Sequence, residues 1–498
     1  MITLAFLILL LLANGMLAWF AKARVFPVEG WVSPLAFWLP FYLLNYPVRA
    51  VVLYLASGTA LEFELNSQRY DFEPAEIAIG LLYATLFATI LLGIYVILCR
   101  GRSVFDFQSC VRTRGTAVTA WQKTVLNVVF GVYLAAFGYR AITNSLFTLY
   151  EEMDDLKRSS ADNVVALLDV LKWPLLAFGF LRLLDRKTPS ALLYAGVGAA
   201  TIVYGALVST AKGEIVCLLV LWGVCFWLKR GKLPLKQLAL GAVVIAAFSL
   251  YSMTVRMEGT VTKRGAEAEN AFSDNQTRAA DHYADNGIGL EEIAVVSSRL
   301  SYLDAIILAQ RKGTFLNEGP YLLGSLVEFG NVVPRALWPD RPLLSFNHEM
   351  TYAVWSMPDW EYFLEMPIGR IGESFFVLNW MGVLYAVFYA AIWSWIYHRF
   401  FVMAHDDLSR AFYLSVLILF IFPDAYVVYN WKLLLVLTAA GYLLGVRFAA
   451  GARQSKPDAL LDGPGSCGTN NRSLGYRMHR HALAESWTGL RKQPQRPL

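Results

Sequence analysis

Five cations, Lys212, Arg299, Arg335, Arg341 and Arg370, stand outside the long apolar stretches that fill most of the chain, in segments where a phosphate or carboxylate could reach them. Arg335 and Arg341 belong to Pro334-Arg335-Ala336-Leu337-Trp338-Pro339-Asp340-Arg341-Pro342, in which three prolines in nine residues fix a stiff, non-helical backbone. A guanidinium on a stiff path is presented at a defined position, and its planar fork stays charged and grips phosphate oxygens in pairs. Arg370 lies in Gly369-Arg370-Ile371-Gly372-Glu373, which carries a cation and a carboxylate directly into an apolar stretch on a glycine-flanked turn. Lys212 lies in the short hairpin Ser209-Thr210-Ala211-Lys212-Gly213-Glu214 between two further apolar stretches. Alone, Lys212 reads equally as a headgroup-facing turn residue and Arg370 as an interfacial anchor. Together the five predict one shared site for an anionic ligand.

The elements that must position these groups are membrane helices. Of the 498 residues 57% are hydrophobic and 14% aromatic, with a mean hydropathy of +0.46, which exceeds what a soluble core needs and predicts an all-α polytopic membrane protein. Residues 1–20 lack a basic leader and a small-residue cleavage site, so they read as a retained span. Apolar runs of roughly 17–25 residues fall at 2–21, 32–57, 76–99, 122–146, 163–184, 189–209, 213–228, 235–254, 374–397, 410–428 and 430–449, about eleven transmembrane helices. Lys22 and Arg24, then Arg100 to Lys123, then Arg182 to Lys187, then Lys229 to Lys236 fall in alternate connections, which the positive-inside rule makes cytoplasmic. The N-terminus is then extracytoplasmic and the C-terminus cytoplasmic.

Four regions follow: an eight-helix block at 1–254, a large extracytoplasmic loop at 255–373, a three-helix block at 374–449 and a basic, disordered tail at 450–498. The tail suits anionic lipid headgroups better than nucleic acid. Within the loop, residues 257–286 lack apolar spacing and read as mobile surface. Apolar residues from Ile293 to Ile307 recur every three or four positions around Arg299 and Asp304, predicting an amphipathic helix at the membrane interface, with a second at 320–329. Arg49 and Arg140 read either as snorkelling anchors or as groups facing a cavity, and Asp169 with Lys172 as an i,i+3 ion pair. The five cysteines lie in spans or on the cytoplasmic side, so no disulfide framework is expected. Neither a nucleotide fingerprint nor a metal-ligand spacing occurs in the sequence, which predicts chemistry without a metal or cofactor.

The run at 334–342, Gly-x-x-Gly-Glu-Ser-Phe at 369–375 and Asn-Trp-Met-Gly-Val-Leu at 379–384 resemble the bacterial oligosaccharide repeat-unit polymerases of O-antigen and related polysaccharides. The span count, the single large loop and the hairpin at 209–214 fit the same family, so the resemblance runs to about residue 449. The spacing from Arg370 to Gly382 also resembles that at the end of the family's principal loop. The family commonly carries Arg in Ser-Arg-Gly where this chain has Lys212 before Gly213, so the charge survives and the paired geometry does not.

The resemblance implies a C-type glycosyltransferase architecture in the bacterial inner membrane. It also implies transfer of a growing glycan from undecaprenyl diphosphate to a sugar hydroxyl of a new lipid-linked unit at the periplasmic face. Arg299, Arg335, Arg341 and Lys212 would then hold the lipid diphosphate, with Arg370 stabilising its charge as it leaves. Glu373 is the first candidate for the base that takes the hydroxyl proton, followed by His348 and Asp304. His348 reads equally as a loop residue bonded to backbone, and Asp340 as an Asx-turn residue. Implied partners are the lipid-linked oligosaccharide, membrane lipids, a chain-length regulator and the flippase of the pathway, with no nucleic acid. Three rivals share parts of this pattern: an O-antigen ligase, a glycosyltransferase using a lipid monophosphate sugar, and a flippase.

Overall fold

The computed structural model describes residues 2–25, 32–56, 64–65, 68–69, 72–99, 119–142, 165, 168–185, 188–209, 212–258, 302–311, 369–402 and 406–421, with helical residues 437, 439 and 441. Arg299, Arg335, Asp340, Arg341, His348, residues 259–286 of the segment expected as mobile surface, the expected second loop helix and the basic tail lie outside the described residues. The chain divides into two units, Met1–Ala449 and Ala450–Leu498, of which only the first contains described residues.

Apart from a hairpin of β1 (Glu64–Leu65) and β2 (Gln68–Arg69), with Glu64 opposite Arg69, the described chain is helical. Six stretches among the described residues are long and apolar enough to cross a membrane: Thr3–Arg24, Pro34–Leu55, Pro74–Cys99, Ala120–Ile142, Pro189–Ala206 and Gly369–Val402. Helix α1 (Ile2–Arg24) shows why such a helix needs lipid. Leu7, Leu10, Asn14 and Ala21 share one buried stripe, while Leu9, Leu12, Met16 and Trp19 are each more than half exposed. Water would not tolerate that apolar face.

The second span is interrupted. Helix α2 (Pro34–Leu43) starts on a proline at its first position, passes Pro40, opens into a wider π turn over Leu44–Val48 around Pro47, and resumes as α3 (Arg49–Ala56). Trp38, Tyr42 and Tyr46, one turn apart, stack with ring centroids 4.8 and 5.2 Å apart. The Tyr42 hydroxyl donates to Asn14 Oδ1, and Asn14 Nδ2 donates to Thr85 Oγ1 at 2.8 Å. This network ties α1 and α2 to α4 (Pro74–Cys99) and satisfies the polar atoms that hydrocarbon would leave stranded.

Helix α5 (Ala120–Ile142) is followed by a tight turn at Asp169–Leu171 and by α6 (Lys172–Asp185). A single span was expected at 163–184. The described helix has 14 residues and is buried continuously from Lys172 to Leu181, as a helix enclosed by others is in a protein core or a membrane bundle. Helices α7 (Pro189–Ser209), α8 (Lys212–Arg230) and α9 (Leu235–Glu258) occupy the ranges of the next three expected spans, and of the three only α7 is among the six stretches long and apolar enough to cross a membrane. Helix α10 (Tyr302–Arg311) falls in the stretch expected to be the large loop. Here the expectation of an interfacial helix needs correction, because Tyr302 to Ala309 are all buried. Gly80 of α4 makes that possible, since a Cβ there would come within 3.1 Å of Ile307 and 3.2 Å of Leu303.

The span expected at 374–397 begins earlier and is broken. Helix α11 (Gly369–Leu378) gives way to a 3-10 segment, Asn379–Leu384, then to α12 (Tyr385–Ile396) and a π turn at Tyr397–Val402. Asn379 takes a left-handed φ of 53° at the break. A Cβ on Gly382 would fall 2.0 Å from the Ser374 carbonyl oxygen and 2.4 Å from the Tyr83 hydroxyl, so the fold requires glycine there. Helix α13 (Asp407–Val416), capped by Asp406 accepting from the Ser409 amide, runs into a π turn at Leu417–Ile421. Because the Ser374 carbonyl cannot yield, Gly382→Ala should cost about 3 kcal/mol, read as a lowered melting temperature of the detergent-purified protein.

Candidate functional site

Arg370 is the second residue of α11 and is buried, with 4% of its surface exposed. Gly369 takes a left-handed φ of 71° immediately before it, so the chain turns and the helix starts at once. The glycine-flanked surface turn expected at 369–373 is therefore the first turn of a helix, and its arginine points into protein. The guanidinium carbon lies 5.3 Å from the ring centroids of both Tyr389 and Trp393 on α12. Two aromatic faces compensate a cation in a dry setting without consuming its hydrogen-bonding edges. Trp393 in turn meets Trp38 edge-on at 5.8 Å.

Glu373, one turn further along α11, is partly buried. Beside it Ser374 Oγ donates to the Ile371 carbonyl at 2.7 Å. Its proton is thereby committed, so the Tyr83 hydroxyl 2.9 Å away must be the donor to Ser374. Tyr83 also packs edge-on against Phe375 at 4.7 Å and Trp380 at 5.7 Å. Arg370 and Glu373 thus share a helical turn whose far side is fixed to α4.

The neighbouring helix α10 is held by two ion pairs. Arg49 meets Asp304 fork to fork, with Nε to Oδ1 at 2.9 Å and Nη2 to Oδ2 at 2.6 Å, and both residues are buried. Arg49 is thus paired inside the protein and is not snorkelling to the headgroups. Asp304, the last of the candidate bases, has both oxygens on that guanidinium and serves here as an anchor. At the other end of α10, Arg311 Nε and Nη2 each donate at 2.6 Å to the carboxylate of Glu76, and its guanidinium covers Phe72. Sequence reasoning missed this second anchor, although Glu76 in the first turn of α4 and Arg311 in the last turn of α10 are visible charges at helix ends.

A second cluster forms around Lys172. The expected i,i+3 pair is present, Lys172 Nζ to Asp169 Oδ2 at 2.7 Å, but the ammonium also donates to Glu214 Oε1 at 2.6 Å. Arg140 closes on Asp169 at 3.3 Å. The hairpin at 209–214 therefore contributes a carboxylate to this cluster. Lys212 is the first residue of α8, and its side chain falls outside the description. A third cluster surrounds Asp407, which is 1% exposed and lies 2.9 Å from Lys229, 3.6 Å from Arg182 and 3.9 Å from Arg410. Lys229 also donates to Asp185.

Among the described residues no group of His, Cys, Asp and Glu is placed to hold a metal ion. No known family, characterised protein or solved structure matches the chain. Asp304→Ala strands the buried Arg49 guanidinium and should destabilise the protein by about 3–5 kcal/mol. Adding Arg49→Leu should recover much of that loss, as measured by thermal unfolding of the two single variants and the double variant.

Proposed function

We propose that the chain is a polysaccharide repeat-unit polymerase. It takes a glycan from undecaprenyl diphosphate and joins it to a sugar hydroxyl of a new lipid-linked unit, as in O-antigen, capsule or exopolysaccharide synthesis. The observation that carries this reading is the placement of Arg370, a caged cation on the first turn of a broken helix, one turn from the carboxylate of Glu373.

In the proposed reaction the acceptor oxygen bonds to the anomeric carbon while the bond from that carbon to the diphosphate oxygen breaks. Glu373 takes the acceptor proton, and the electron pair leaves with the lipid diphosphate. A fixed cation in a water-poor site stabilises that developing charge far better than a mobile one in water. No metal or cofactor is invoked. Arg299, Arg335, Arg341 and Lys212 add cations for the diphosphate, with His348 as an alternative base. Broken helices at membrane depth are tolerated where they are buried or line a cavity, which supports a working role for the interruption at Asn379–Leu384.

In this reading the chain crosses the inner membrane about eleven times, with the N-terminus periplasmic and the C-terminus cytoplasmic. Support comes from the ion pairs among the described residues, each of which joins groups that this topology places at the same membrane face. Arg49 meets Asp304, Arg311 meets Glu76 and Lys172 meets Glu214 on the outer side, while Lys229 meets Asp185 and Asp407 on the inner side. A chain-length regulator and a flippase of the same pathway are the proposed protein partners.

In a deletion strain, surface lipid capped with single repeat units is the expected phenotype. Absence of capped units would instead indicate a lost ligase, and loss of periplasmic lipid-linked units a lost flippase. Arg370→Ala at unchanged protein level should lower polymer formation about 100-fold, with Arg370→Lys intermediate because it keeps the charge and gives up the planar stacking. Full-length polymer from the alanine variant would remove Arg370 from the site.

A further inference from the structure

Helices α6 and α8 run parallel and are bridged by an ion pair at each end. Lys172 meets Glu214 at their N-terminal ends, and Asp185 meets Lys229 at their C-terminal ends. The two bridges lie about 20 Å apart along α6 and about 22 Å along α8. A slip of one turn, about 5.4 Å, would break both at once. The polarity of the charges shows which helix the pairs serve. Glu214 and Lys229 suit the dipole of α8, whereas Lys172 and Asp185 stand at the wrong ends of α6 for that helix's own benefit. The buried ammonium of Lys172, with a side chain 6% exposed, is matched to Asp169 and Glu214 and not to its own helix.

Glu214 lies in the first turn of α8, two residues after Lys212, which is the residue at which α8 begins. We infer that Glu214 is a positioning residue: clamped by Lys172, it fixes the register of α8 and hence the depth at which Lys212 is offered to a lipid-linked diphosphate. This inference rests on the function proposed above. It assigns Glu214 no contact with substrate. Its charge acts through the backbone of a single helical turn.

The test uses the full chain in lipid nanodiscs, measuring the Kd for undecaprenyl diphosphate and the KM and kcat of repeat-unit polymerisation. Glu214→Gln should raise Kd and KM about tenfold and leave kcat within about twofold, with the melting temperature followed in parallel. Lys172→Met should raise KM in the same direction, and the double variant should raise it no further than Lys172→Met alone, because that substitution already removes the Glu214 pair along with the one to Asp169. Lys172→Arg, which still reaches both carboxylates, should bind as wild type does. Should the glutamine variant fail to accumulate, Glu214→Asp withdraws the carboxylate by one methylene and reads the same shift in KM. A role in folding alone would lower the melting temperature and the active fraction with KM unmoved, and that result overturns the inference. So does additivity in the double variant. Wild-type protein that neither polymerises nor binds the lipid diphosphate overturns the proposed function itself, and this inference with it.

Discussion

A guanidinium inside an apolar bundle needs an anion or aromatic faces against it, and for Arg49 Asp304 supplies the anion. The pair joins the interrupted apolar stretch Pro34–Leu55 to helix α10, 255 residues further along the chain, and makes α10 part of the core. Much of the local architecture follows from that docking. Gly80 gives α10 room against α4, Arg311 and Glu76 hold its far end, and Tyr302 closes on Phe41 with centroids 5.3 Å apart. Helix α11 packs beside α10, and its first two turns carry Arg370 and Glu373.

The broken segment after α11 depends on equally tight contacts. Asn379 turns the chain, Gly382 lies against the Ser374 carbonyl, and Tyr83 donates to Ser374 from a third helix. With that turn fixed, Arg370 faces Tyr389 and Trp393 and not lipid. Elsewhere the buried charges gather in small networks at helix ends, around Lys172 and around Asp407. Each network links helices that no sequence motif connects. In a bilayer such pairing is the physical alternative to leaving a charge in hydrocarbon, and it also fixes helix register as apolar contacts against lipid cannot.

Parts of this were legible beforehand. The long apolar runs mark helices such as Pro74–Cys99 because the hydrophobic thickness of a bilayer sets the length of a span. The Asp169 and Lys172 pair was legible because helical spacing of three brings side chains together whatever surrounds them. The partners of Arg49 and Lys172 were not, since they lie 255 and 42 residues away in the chain. Nor was the burial of Tyr302 to Ala309, because an amphipathic pattern with an acidic interruption reads the same beside headgroups as beside a buried arginine.

By itself the sequence determined that this is a helical chain suited to membranes, and it marked Arg370 and Glu373 as a cation and a carboxylate on a glycine-flanked segment leading into an apolar run. Composition and local spacing suffice for that, because hydration cost and helical periodicity act residue by residue. Only the tertiary structure decided which charges neutralise which, where α11 begins and breaks, and that Arg370 lies in an aromatic cage and not at a surface turn. Those outcomes depend on close approaches, at Gly80 and Gly382 above all, between segments far apart in the chain, and packing of that kind has no local signature.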